Sequence, residues 1–146
     1  MVDANLLMYS VHEQFEAHEP ARSWLDERLN GSDGVGLPWA ALVSFLRLSA
    51  SPRVLSSPIR LRDAAGVVGA WLALPTTWTP EPSGRHAEML AGLLEGESKA
   101  DLVPDAHLAA IAMEHGLLLC STDRDFARFE GLRWADPLRT RRADES

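Results

Sequence analysis

Short apolar segments alternate with longer stretches of helical periodicity along the chain, and this alternation limits the folds it can adopt. Strands that alternate with helices pair in parallel, and the helices then cover both faces of the sheet. We therefore predict an α/β fold, a three-layer α/β/α sandwich with a short-stranded, mostly parallel central sheet. The predicted strands are residues 1–2, 34–37, 76–79, 117–121 and 132–134. The predicted helices are residues 4–10, 16–29, 38–48, 59–74, 84–94 and 104–115, with a helical turn at 123–129.

The chain has 146 residues, the length of one domain with a substantial core. We predict a single domain over residues 1–138 and a polar C-terminal tail at 139–146, since no repeat or linker interrupts the pattern. No apolar run is long enough to span a membrane, and no basic segment precedes Asp3 as it does in a signal peptide. The single cysteine, Cys120, excludes a disulfide framework within the chain. We expect a cytoplasmic protein that does not bind membranes.

The net charge is −7, from 21 acidic and 14 basic residues. A protein that coats nucleic acid non-specifically relies on cationic surface to displace counterions, so this balance argues against that function. It does not argue against a nuclease, whose carboxylates can hold a metal ion in one place while basic side chains lie elsewhere. The positions of the acids are therefore more informative than their number.

Several acids lie just after predicted strands or at the start of a helix. Asp3 ends the first strand, and Asp105 lies in the first turn of helix 104–115. Asp123 and Asp125 follow strand 117–121, which its apolar composition predicts to be buried on both faces. Ligands of parallel sheets bind beyond the carboxyl ends of the strands, where clustered carboxylates repel one another unless a cation such as Mg²⁺ neutralises them. The acids thus predict a divalent-metal site, although Asp105 taken singly fits a helix-dipole role equally well.

The chain resembles the PIN domains of VapC-type toxins in motifs spread over nearly its whole length. The motifs are Val2-Asp3-Ala4-Asn5-Leu6-Leu7, the segment 34–49 ending in Phe45-Leu46-Arg47-Leu48, Leu102-Val103-Pro104-Asp105-Ala106-His107-Leu108-Ala109-Ala110, Ser121-Thr122-Asp123-Arg124-Asp125-Phe126 and Gly131-Leu132-Arg133-Trp134. Each motif alone is weak, whereas all of them in this order and at these separations form a specific match.

The resemblance implies a PIN-like fold and a Mg²⁺-dependent endoribonuclease, with Mn²⁺ as the alternative ion, acting as the toxin of a type II toxin–antitoxin system. It implies that Asp3, Asp105 and Asp123 are catalytic and bind the metal, with Asp125 as the second choice for the position of Asp123. Asn5 matches a polar residue near the first Asp and is expected to orient the ligands. The implied partners are a cognate VapB-type antitoxin, an RNA substrate and a second copy of the chain in a homodimer.

Two positions depart from the family pattern. Ser44 stands where many PIN domains have a Glu, and the sequence has no acid between Asp33 and Asp63. This departure favours one well-held ion over two, with Ser44 contacting a water in the second shell of the site. Pro104 stands where a Thr usually precedes the helical Asp, which removes a hydroxyl cap. Asp101, in the preceding loop, is an alternative ligand that we do not favour.

The missing Glu motivates a second hypothesis, that the chain is a catalytically degenerate PIN domain acting as a protein-binding module. A third class, the phosphoacceptor α/β domain, needs an acidic pair early in the chain and a lysine on a late strand. Lys99, the only lysine, lies in a loop before a helix, which disfavours this class. The residues do not identify the RNA, because an acidic site acts on a phosphodiester and does not read sequence.

Overall fold

The computed structural model describes residues 1–139, so all but the first residue of the predicted tail at 139–146 lies outside the described part. The helices are α1 (Ala4–Val11), α2 (His18–Leu29), α3 (Trp39–Ser49), α4 (Leu61–Leu72), α5 (His86–Leu94) and α6 (Val103–Glu114). The strands are β1 (Val35–Gly36), β2 (Thr77–Trp78), β3 (Leu119–Cys120) and β4 (Trp134–Ala135), and 3₁₀ turns lie at Ala100–Leu102 and Arg124–Arg128. Among residues 1–139, no helix combines the length and apolar character needed to cross a bilayer.

The N-terminal segment, residues 1–3, joins two pairs of parallel strands into one sheet. β1 pairs in parallel with β2, and β3 pairs in parallel with β4. Val2 forms a parallel bridge to Cys120 of β3, and its N–H donates to the Gly36 carbonyl of β1 at 3.0 Å. The order across the sheet is therefore β2, β1, the N-terminal segment, β3, β4. The predicted short-stranded parallel sheet is confirmed, and its carboxyl edge lies at Asp3.

Two apolar clusters lie on opposite faces of this sheet. Successive residues of an extended segment point to opposite faces. Met1 belongs to the cluster formed with α6 and the turn after β3, whereas its neighbour Val2 belongs to the cluster formed with α1 to α4. Leu119 and Cys120 divide between the same two clusters. The sheet is thus covered by helices on both faces, as the predicted three-layer sandwich requires.

The strands are shorter than predicted, and one burial prediction is wrong. Residues 117–121 form a regular strand only at Leu119–Cys120, and Leu118 is 43% exposed although the segment was predicted to be buried on both faces. The physical reason is that Leu117 and Leu118 line an open groove of about 650 Å³ next to Trp24 and Arg28 of α2. An apolar run does not distinguish the wall of a groove from a packed layer.

Apolar packing and polar contacts together hold α5 against α6, the helix that carries Asp105. No residue of α5 is fully buried, but Leu90, Leu93 and Leu94 are partly buried and pack against the apolar cluster that contains α6. His86 at its start contacts Glu114 at 2.6 Å through Nδ1 and His107 at 2.9 Å through Nε2. Burial by itself raises the pKa of Glu114, but hydrogen bonds from Ser83 and His86 outweigh it and hold the pKa below its usual value. These contacts fix α5 against the flank of α6.

We expect Gly131→Ala to lower the free energy of unfolding by about 1–3 kcal/mol, the cost of forcing a side chain into a left-handed backbone conformation. Gly131 has a φ of 86°, and an added Cβ would lie 3.3 Å from Cε of Met113. Urea denaturation measures the change. The control is Gly84→Ala, since an added Cβ there meets no described atom within 4 Å. Equal effects of the two variants would contradict the prediction.

Candidate metal centre

Asp3 lies at the carboxyl edge of the sheet because it ends the N-terminal segment and caps α1. Its extended backbone (φ −81°, ψ 157°) is typical of a helix N-cap, and its Oδ1 accepts the N–H of Ala4 at 2.7 Å. Its N–H donates to the Cys120 carbonyl at 3.0 Å, which fixes it beside the end of β3. Burial raises the pKa of Asp3, and the nearby Asp123 carboxylate adds to the rise, although hydrogen bonds from Ser121 and Ala4 oppose it.

The hydroxyl of Ser121 connects the beginning of the chain to the acids that follow β3. Ser121 is fully buried, and its Oγ donates to Oδ2 of Asp3 at 2.7 Å across 118 sequence positions. The same Oγ accepts from Nδ2 of Asn5 at 3.1 Å and from the backbone N–H of Asp123 at 3.1 Å. Asn5 also donates to Oγ1 of Thr122 at 2.9 Å. Ser121 thereby sets the position of Asp3 relative to Asp123.

Three carboxylates converge next to this network. Oxygen atoms of Asp105, Asp123 and Asp125 all lie within 4.8 Å of one another. Asp105 lies in the first turn of α6, and Asp123 caps the 3₁₀ turn with its Oδ1 accepting the N–H of Asp125 at 2.9 Å. The structure therefore brings Asp105 and Asp123 together as predicted, and it places Asp125 beside them. Asp3 is not one of the three, but its carboxylate is held by Ser121 and interacts electrostatically with Asp105 and Asp123.

The three converging carboxylates, which we call the acidic cluster, have an unfavourable interaction in the ion-free protein. Burial raises the pKa of Asp105 to about 6, with further contributions from the charges of Asp123, Asp3 and Asp125 in that order. The guanidinium of Arg128 opposes the rise and does not cancel it. A group of acids that resists full ionisation is stabilised by a cation placed among them. Because every donor is an oxygen atom, the cluster fits a hard divalent ion such as Mg²⁺.

Other residues singled out in the sequence lie outside the acidic cluster. Ser44 is half-buried on α3, and its hydroxyl makes no hydrogen bond within residues 1–139. Asp101 is exposed in the 3₁₀ turn before α6. Pro104 lies in the first turn of α6, whose N-terminus has no side-chain cap, so the hydroxyl cap absent from the sequence has no substitute among the described residues.

Sequence reasoning assigned no role to Ser121 or Thr122, and it did not connect Arg128 with Asp105. The signal for Ser121 was available, because a hydroxyl at the end of an apolar strand is buried and must find hydrogen-bond partners. The contribution of Arg128 to the electrostatics of Asp105 was not readable from the sequence, since it depends on how the 3₁₀ turn folds back. Asn5 was predicted to orient ligands. Its side chain donates to Ser121 and Thr122, so it contacts residues that lie next to the acids.

We expect the affinity for Mn²⁺ or Mg²⁺ to fall as the pH drops below 6. A proton on Asp105 competes with the ion, and its pKa is raised to about 6 in the ion-free protein. Below that value each pH unit costs close to tenfold in affinity, so the loss between pH 7.5 and pH 5.0 is about tenfold. Isothermal titration at the two pH values measures it. An unchanged affinity would show that Asp105 does not contact the ion.

A parallel sheet with carboxylates converging at its carboxyl edge defines a class of α/β proteins equipped to bind a divalent ion. Within that class, the sequence matches the PIN domain family over residues 1–132. The chain belongs to the PIN domain family, which confirms the resemblance found in its motifs.

Similarity to mycobacterial proteins extends over nearly the whole chain. Ribonuclease VapC37 of Mycobacterium tuberculosis is 44% identical over 138 residues, which cover 94% of this chain and 96% of that protein. Ribonuclease VapC33 of the same organism is 40% identical over 138 residues, with the same coverage. A solved complex, VapBC2 of Rickettsia felis bound to a DNA fragment from its promoter, matches with a TM-score of 0.63. That match has 14% identity and covers 92% of this chain and 96% of the solved one, so it shows a shared fold.

Proposed function

We propose that this chain is a metal-dependent endoribonuclease and the toxin of a type II toxin–antitoxin system. The observation that carries the proposal is the convergence of Asp105, Asp123 and Asp125 within 4.8 Å, with the carboxylate of Asp3 close enough to interact electrostatically with Asp105 and Asp123. The names of the relatives support it, because VapC37 and VapC33 are called ribonucleases and match nearly the whole chain.

We assign ion binding to Asp3, Asp105 and Asp123, and the position of Asp125 supports adding it to this set. A bound Mg²⁺, or Mn²⁺, supplies a more acidic water for attack on the phosphodiester and offsets charge on the leaving oxygen. The chain's own residues hold the carboxylates in place: Ser121 fixes Asp3, and the N–H of Asp125 fixes Asp123. A carboxylate set that is held before the ion arrives loses little freedom on binding it.

The proposed partners follow from the relatives and from the need to restrain such an activity. We propose a VapB-type antitoxin that covers the acidic edge, and an RNA substrate, in the cytoplasm. The complex of VapBC2 supports the first, since it shows a protein of the same fold together with its antitoxin. We also propose that the chain forms a homodimer.

Purified chain free of antitoxin tests the function. We expect cleavage of RNA in Mg²⁺ or Mn²⁺, and none after addition of EDTA. Cleavage that continues in EDTA would contradict the metal-dependent mechanism, and absence of cleavage from every RNA tested would contradict the nuclease. Mapping the cleaved ends in cells that express the chain identifies the substrate.

A second candidate is a PIN domain that has kept its partner interface and lost turnover. The observation that favours it is Ser44, which leaves α3 without a carboxylate at the site, since the sequence has no acid between Asp33 and Asp63. Isothermal titration distinguishes the two candidates. A degenerate site binds Mn²⁺ weakly or not at all, whereas the nuclease binds it with an affinity that depends on the acidic cluster.

A further inference from the structure

A pocket of about 380 Å³ adjoins the acidic cluster at the carboxyl edge of the sheet. Arg124, next to Asp123 in sequence, forms part of one wall, and Tyr9 of α1 forms part of another. The pocket is not part of the ion site and has no role in the function described so far. Its principal lining residues are Tyr9, Phe15, Thr122, Arg124, Asp136 and Arg139.

The pocket shares a wall with the network that holds the acids. Oγ1 of Thr122 accepts from Asn5, whose other partner is the hydroxyl that binds Asp3. Tyr9 lies four residues after Asn5 on α1, so the two side chains lie on one face of the helix. The pocket and the acids therefore share the hydrogen-bond network of Asn5, Ser121 and Thr122.

Two chemical features of the pocket match a nucleotide. Tyr9 and Phe15 form an edge-to-face pair with ring centroids 5.1 Å apart, and both rings are only half-buried. Arg124 and Arg139 are exposed, and neither forms an ion pair with any carboxylate of the described residues. Aromatic rings stack on bases regardless of sequence, and guanidinium groups bind phosphate through two parallel hydrogen bonds.

The pocket also contains two carboxylates. Oδ1 of Asp136 accepts the N–H of Leu138 at 2.9 Å and so stabilises its own turn. Glu16 is exposed. Among the described residues that line the pocket, two arginines and two acids balance in charge, in contrast with the net charge of −7 of the whole chain. These described residues therefore do not repel an anionic strand beside the acidic cluster.

We propose that this pocket binds the nucleotide of single-stranded RNA next to the cleaved phosphodiester, with the base on Tyr9 and a phosphate between Arg124 and Arg139. This inference rests on the proposed function, because it requires RNA at the acidic cluster. The pocket contributes affinity for the strand, and its aromatic wall accepts different bases. A partner protein segment is the competing occupant, and the experiment below distinguishes the two.

The test is binding of a fluorescein-labelled single-stranded RNA 20-mer of mixed sequence, measured by anisotropy in EDTA so that the strand is not cut. We expect Tyr9→Leu to weaken binding about tenfold and Tyr9→Phe to retain it, because only the first loses the ring. We expect Arg139→Gln to weaken binding and to reduce the slope of log affinity against log salt by about one. Arg62→Gln is the matched control, an exposed arginine of α4 outside the pocket.

The outcomes separate this proposal from the function on which it rests. If the unmodified chain cleaves RNA in Mg²⁺ but Tyr9→Leu and Arg139→Gln bind the 20-mer as the unmodified chain does, the pocket assignment is wrong and the nuclease stands. If these variants keep RNA binding and lose association with a co-expressed antitoxin, the pocket receives protein and our assignment is overturned. If the unmodified chain cleaves no RNA, the proposed function itself fails. Thermal unfolding of each variant checks that it is folded.

Discussion

Replacing Asp105 by asparagine lowers the rate of RNA cleavage by at least about 10²-fold, the scale on which losing one charge-stabilising group in an active site acts. Asp105 interacts electrostatically with both other members of the acidic cluster and with Asp3, since Asp123, Asp3 and Asp125 each raise its pKa. Asparagine keeps the size of the side chain and one oxygen donor but removes the negative charge that holds the ion. The measurement is the initial rate of RNA cleavage in Mg²⁺.

The matched control is Asp101→Asn, the same change four residues earlier. Asp101 is exposed and lies outside the acidic cluster, so we expect a rate close to that of the unmodified chain. A loss of activity in both variants would show that negative charge near α6 matters in general and would contradict a specific ion site at Asp105.

In the absence of the ion, we expect Asp105→Asn to raise the stability of the fold, although it lowers the cleavage rate. The pKa of Asp105 is raised to about 6 in the folded chain, so the folded state holds its proton more tightly than the unfolded state. The tighter proton binding by Asp105 contributes stability that is fully present below the unfolded pKa of about 4 and is lost as the pH rises through 6. Because Asp105 is partly exposed, we discount the effect to about 1 kcal/mol, so Asp105→Asn melts about 2–4 °C higher in EDTA at pH 7.5. A lower melting temperature would indicate damage to the fold.

Ser121→Ala lowers both cleavage and stability, and we expect losses of about 10–100-fold in rate and about 1–3 kcal/mol in the free energy of unfolding. The hydroxyl of Ser121 is fully buried and serves Asp3, Asn5 and the N–H of Asp123. Alanine leaves these partners without that hydrogen bond, and the carboxylate of Asp3 keeps only the N–H of Ala4 as a donor. Cleavage rates and urea denaturation measure the two losses.

Ser10→Ala is the control for removing a buried serine hydroxyl. Oγ of Ser10 donates only to the Leu7 carbonyl within α1, so its loss affects stability without touching the acids. We expect Ser10→Ala to keep the cleavage rate. If Ser121→Ala keeps it as well, Asp3 does not depend on Ser121 for its position.

The sequence was sufficient to predict the edge of the sheet at which the acids meet. Asp3 and Asp123 follow strands, and parallel strands bring their carboxyl ends together, so their proximity follows from topology alone. The distances between the acids at that edge depend on the directions of their side chains, and hydrophobic periodicity does not predict those directions. Asp125 joins the acidic cluster because the 3₁₀ turn after Asp123 folds back, and Asp3 turns toward Ser121.

The extent of the strands was the least predictable part of the fold. Residues 117–121 read as one apolar strand, yet regular pairing occupies only Leu119–Cys120, because the neighbouring segment beside them is itself short. The position of α5 was equally difficult to predict. It depends on the packing of its leucines against α6 and on contacts of His86 with Glu114 and His107, and sequence spacing does not reveal contacts between residues of different helices.

The central place of the N-terminal segment in the sheet has a consequence for when activity arises during synthesis. Residues 1–3 precede their partner β3 and the acids beyond it in the chain, so they are synthesised well before them. A nascent chain can form helices α1 to α4 before Ser121 is present to hold Asp3. The acids therefore come together, and cleavage begins, only after β3 has been made and has paired with the N-terminal segment.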